Sequence, residues 1–170
     1  ARSISLAVTA LVGQNLGAGR HDRVREIVIR SSLLTAAITG TMTLIAVLAP
    51  KLLIQIFIDD PTVLNEGARY LRIVGFNYVP LALMFIVTGV LRGAGDTFVS
   101  MLISFVTLWV VRVPLAWFLS YPVGWGPSGT WLAIVLSTIL GLALNWWYYR
   151  TGYWQRKVVV RPPRPGPAEG

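Results

Sequence analysis

The chain has 170 residues, of which 55% are hydrophobic and only 13% charged, with a mean hydropathy of +0.64. Soluble domains carry about 25% charged residues, so too few are present here to cover a water-exposed surface. Its net charge of +8 does not read as a nucleic-acid footprint, because the basic residues sit at the ends of apolar runs, and the absence of cysteine excludes disulfides and thiolate metal sites.

About 20 apolar residues are needed to cross a bilayer core as a helix. The first run, 3–18, is too short and lacks the basic start of a signal peptide. It is expected to be the later part of a helix whose beginning is missing, so that the chain is a fragment. The second run, 23–48, has Asp22 as its expected N-cap and Pro50 as its stop, followed by a short interfacial piece in which Lys51 and Gln55 share a face. The third, 61–92, begins on Asp60-Pro61, an N-cap followed by proline at the first helical position, and Pro80 is expected to kink it. The fourth and fifth occupy 97–120 and 128–150, and the fifth ends in an aromatic cluster, Trp146 to Tyr149, of the kind found at membrane interfaces. The remainder, 155–170, is rich in proline and is expected to be a disordered cytoplasmic tail. The fold class is therefore all-α integral membrane, an antiparallel bundle of about five transmembrane helices.

Two turns repeat a pattern. Gly17, Gly19 and Asp22 follow the first run; Arg92, Gly93, Gly95 and Asp96 follow the third. In lipid every backbone polar group must be paired, and a helix leaves four carbonyls unpaired at its end. Left-handed glycines at Gly19 and Gly95 would close those ends, and the aspartates would accept from the first N–H groups of the next helix. Ten basic residues fall on the side of these turns and of the C-terminus, against three on the other, which makes the first side cytoplasmic.

"VGQNLGAGR", "LRGAGDT", "RVPLAWFLS" and "GPSGTWLAIVLST", in this order, resemble the second half of a multidrug and toxic compound extrusion (MATE) transporter, over about residues 1–154. The resemblance implies the later part of helix eight to helix twelve of a twelve-helix protein built from two six-helix lobes. It also implies outward antiport of amphipathic organic cations or drugs against Na⁺ or H⁺ by alternating access, in the bacterial inner membrane, with the missing N-terminal lobe as partner. A lipid-linked sugar flippase of related fold and a non-transporting fragment are the alternatives. None of the seven acids falls in the middle of an apolar run, which departs from relatives with an acidic cation ligand in helix ten. The coupling ion is therefore expected in the N-terminal half, and no cofactor or metal is expected here.

Asn77 and Tyr78, before Pro80, are the candidate substrate contacts, joined by Arg112, the one charge well inside an apolar run. For Arg112, snorkelling toward the outer headgroups or a structural pairing is the alternative. Gln14 and Asn15 are expected to be structural, Asn145 interfacial, and His21 a loop residue. No nucleophile–base set and no phosphate loop appears, so an enzyme is not expected; Asp59-Asp60 is explained by helix capping.

Overall fold

The computed structural model describes residues 2–156. Helices α1 (Arg2–Gly17), α2 (His21–Leu48), α3 (Pro50–Gln55), α4 (Pro61–Gly75), α5 (Tyr78–Gly93), α6 (Thr97–Phe105), α7 (Val113–Ser120) and α8 (Pro127–Thr151) account for most of it. A π-helical stretch, Val106–Arg112, joins α6 to α7, and a 3₁₀ turn, Tyr153–Arg156, follows α8. That turn takes in Gln155 and Arg156, the first residues of the expected disordered tail; the rest of the tail lies outside the described residues. No strand occurs among the described residues.

Three helices are long and apolar enough to cross a membrane: His21–Leu48, the continuous rod Thr97–Ser120, and Pro127–Thr151. The pair α4 and α5 qualifies as a fourth, bent by 41°. Large apolar side chains point outward along these rods, Leu33 being 67% exposed and Phe98 67%, as expected where lipid replaces water around the bundle.

Helix α5 is the axis of the bundle, packed by α1, α2, α6 and α8. Its contact with α1 is made by small residues. Ser5 Oγ donates to Phe85 O at 2.6 Å, Thr9 Oγ1 donates to Gly89 O at 3.0 Å, and Gly13 faces the carbonyl of Gly93. The spacing is four on both helices, so Ser5, Thr9 and Gly13 lie against the backbone of Phe85, Gly89 and Gly93 and the helices approach closely. Below this contact a core of Val8, Val12, Val24, Val28, Ile86 and Val90 closes around the ring of Trp154.

Helix α4 begins as the sequence suggests: Asp60 Oδ1 accepts from Thr62 N at 2.8 Å and Val63 N at 3.2 Å, and Pro61 is the first helical residue. Those two N–H groups hold the Asp60 carboxyl below its ordinary range. The bend in the third run, by contrast, lies at Phe76 and Asn77 and not at Pro80, which is the third residue of α5. A proline ring collides with the carbonyl four residues earlier, here that of Phe76, so the helix breaks before the proline. Its missing N–H falls in a first turn, where no intrahelical bond is lost.

Candidate functional site

Both Gly-Ala-Gly turns have the same geometry. Gly19 has φ +69° and Gly95 φ +84°. Gly19 N donates to Leu16 O and Arg20 N to Asn15 O; Gly95 N donates to Arg92 O and Asp96 N to Leu91 O. These paired bonds, spanning three and five residues, cover the last carbonyls of α1 and α5 as a Schellman motif does. Gly17 and Arg92 lie exposed beside them, whereas Gly93 is turned to α1, where a Cβ would stand 2.5 Å from Thr9 O.

The aspartates differ from expectation. Asp22 is the second residue of α2, after His21, and Arg20 holds the cap position, so Asp22 serves the helix only through the field of its N-terminus. Asp96 does hold the cap position of α6 but makes no side-chain cap bond. Its carboxylate turns inward, 1% exposed, and accepts the hydroxyl of Tyr148. Either bond is charge-assisted, and the one formed here ties the start of α6 to α8.

Asn77 sits in the break between α4 and α5. It is 5% exposed, and its Oδ1 has no hydrogen-bond partner among the described residues. Tyr78 begins α5 and lines a groove of about 410 Å³ between α2 and α5, with Thr39, Met42, Leu81 and Phe85. Arg112 is elsewhere. Its Nε donates to Ser137 Oγ at 2.8 Å and its Nη2 to Thr138 Oγ1 at 3.1 Å, both on α8. The two hydroxyls donate in turn to Ile134 O. Arg112 is thus pinned to its neighbour helix, the structural pairing among the readings of this residue. The π-helical stretch makes this possible: residues five apart share a face in a π-helix, so Thr107, set against Gly141, and Arg112, set against Ser137, both meet α8.

Asn145, expected at the interface, is 1% exposed inside the bundle and donates through Nδ2 to Gly141 O at 2.7 Å. Asn15 bonds its own helix at Leu11 O, and His21 opens α2 exposed. Two features had little sequence signal. The Asp96–Tyr148 pair joins residues 52 apart. Trp154 folds back past Gly152, stacks on Tyr149 at 5.3 Å and donates Nε1 to Tyr149 O. A helix-ending glycine followed by aromatics was the only cue to that return. Among the described residues no group of three or more His, Cys, Asp or Glu could hold a metal.

Residues 1–118 match the profile of the MatE family. The chain is 29% identical over 161 residues to a probable multidrug resistance protein NorM of Thermotoga maritima, covering 95% of this chain and 35% of that protein. It is 31% identical over 156 residues to the probable multidrug resistance protein YpnP of Bacillus subtilis, covering 91% and 34%. A NorM of Rhodopseudomonas palustris is 29% identical over 150 residues, covering 86% and 32%. The chain spans about a third of the length of the curated relatives it matches.

Proposed function

Since the chain belongs to the MatE family, we propose that it forms most of the second lobe of a membrane antiporter that extrudes amphipathic organic cations in exchange for Na⁺ or H⁺. The match of residues 1–118 to the family carries this reading. The names of its relatives, probable multidrug resistance proteins, support the substrate class.

The geometry suggests a division of labour. Asn77 is a buried amide whose oxygen has no partner among the described residues, placed where a spanning helix is interrupted. An interruption frees backbone polar groups, and in membranes such groups are tolerated where they meet protein or line a cavity. Asn77 and Tyr78 are then the substrate contacts of this lobe: the amide oxygen attracts a cation, and the tyrosine ring offers both an apolar face and a π-surface. Arg112 is a positioning residue that fixes α8 to the rod Thr97–Ser120. The described part of α4 and α5 from Gly75 to Gly93 carries no acid, so cation coupling rests on the N-terminal lobe. Alternating access follows if the two lobes rock as bodies about a site between them.

We read the α1–α2 and α5–α6 connections, and the C-terminus, as cytoplasmic in a bacterial inner membrane, and the basic residues of those turns support this reading. The test is accumulation of a cationic dye in cells expressing the full-length protein, with Na⁺ and pH gradients collapsed separately. Lower accumulation that depends on one gradient is expected; accumulation equal to that of cells without the protein overturns the reading. Replacing Asn77 by Leu should change the ranking of dyes more than the total amount of protein.

A further inference from the structure

A second groove, of about 530 Å³, runs between α2, α5 and α8. Val28, Leu33, Leu83, Val87, Leu142 and Trp146 form its walls; Ser32 supplies its one polar side chain and no charge enters it. It lies within the spans, about 10 Å of helix separating Ile139 from Trp146.

The walls end on arginines. On α2 the lining residues 28, 29, 32 and 33 follow helical spacing, and one turn earlier the same face carries Arg25. On α8 the series 139, 142, 143 and 146 leads one turn later to Arg150. The Arg150 guanidinium stands 5.9 Å from the ring centroid of Trp146, which itself lines the groove. Arg25 lies near the Tyr149 side chain of α8. Both arginines are exposed, and neither has a carboxylate partner among the described residues. The acids nearby are Asp22, three residues before Arg25, and Glu26, which is paired with Arg30.

We infer that this groove binds one acyl chain of an anionic phospholipid from the cytoplasmic leaflet, whose phosphate is held by Arg25 and Arg150. An apolar trough at acyl depth, an aromatic ring at its mouth and two cations without a carboxylate partner among the described residues match each part of such a molecule in order. A substrate cation would be repelled at this mouth, so the groove is distinct from the one at Tyr78. The leaflet assignment rests on the orientation proposed above; the binding itself does not.

The test uses full-length protein purified in mild detergent and titrated with phosphatidylglycerol or with phosphatidylcholine of the same chains, read by native mass spectrometry. Phosphatidylglycerol adducts should be retained in preference. Arg25→Gln with Arg150→Gln should weaken them roughly fivefold per arginine, about 25-fold together, while leaving phosphatidylcholine unchanged. Val87→Trp, which fills the trough, should remove both lipids. Equal retention of the two lipids, or phosphatidylglycerol binding undiminished by the arginine pair, overturns the proposal. A single cysteine at Ala18, labelled in intact cells, reports orientation separately: labelling from outside would sink the cytoplasmic-leaflet assignment and the proposed topology while the detergent result still decides the site.

Discussion

Gly93→Ala adds one methyl group at the closest approach in the bundle. The new Cβ would lie 2.5 Å from Thr9 O, 3.0 Å from Val12 Cβ and 3.2 Å from Val12 Cγ1. The first of these atoms is backbone and cannot rotate away, so α1 must retreat by roughly 1 Å to restore van der Waals separation. Retreat stretches the neighbouring Thr9 to Gly89 bond, now 3.0 Å, and the Ser5 to Phe85 bond, now 2.6 Å. Overpacking of this kind costs about 1–3 kcal/mol, and each weakened interhelical bond adds about 0.6 kcal/mol. Against this, alanine is favoured over glycine inside a helix by up to about 1 kcal/mol. The net expectation is a loss of about 1–3 kcal/mol, a shift of roughly five- to 150-fold in the folding equilibrium. Gly40→Ala is the control, because a Cβ on Gly40 meets nothing within 4 Å and alanine there should be neutral or stabilising. The assay is reversible unfolding of the full-length protein in mixed micelles, followed by tryptophan fluorescence. Equal stability of Gly93→Ala and the parent, or an equal loss in Gly40→Ala, would refute the close-packing argument.

Gly95→Val forces a β-branched residue to φ +84° and should cost about 1–2 kcal/mol or more, read as reduced thermal stability of the solubilised protein; Ala94→Gly beside it should be far milder. Tyr148→Phe leaves the buried Asp96 carboxylate without its hydroxyl donor and should cost about 1–3 kcal/mol in the same unfolding assay, whereas Tyr121→Phe, at a ring 77% exposed, should be silent. Asp60 is titratable in the folded state at a lowered pKa, so its cap is fully present above the ordinary carboxylate range and is lost as pH falls through the lowered value. Asp60→Ala should therefore destabilise the protein at neutral pH, and the gap from the parent should close progressively in acid.

Periodicity and end signals made most helices legible. Asp60-Pro61 and the Gly-Ala-Gly turns are local, with the donor, the acceptor and the required φ all encoded within a few residues. What escaped prediction depends on partners far away in sequence. Whether Asp96 caps its own helix or binds Tyr148 is decided by what α8 presents opposite it. Asn145 is set among aromatics in the sequence, yet it lies on the one face of α8 that the bundle covers. Gly93 reads locally as part of a helix-ending turn, although its four-residue spacing from Gly89 only acquires meaning beside Ser5, Thr9 and Gly13.

Arg112 illustrates the same limit in its sharpest form. On an ideal α-helix, Thr107 and Arg112 lie well apart around the axis, so one facing α8 would turn the other toward lipid. A sequence reader is then left to choose between a cavity, the headgroups and a structural pairing for the arginine. Widening the helix over Val106–Arg112 removes the choice, because five-residue spacing returns to the same face. The widened turn weakens a stretch of backbone bonding, and that loss is offset where Arg112 gains Ser137 and Thr138, both already bonded to Ile134 O. The charged side chain and the irregular backbone therefore fit each other: the π-helical geometry brings Arg112 to its partners on α8 on the same face as Thr107, which packs against Gly141.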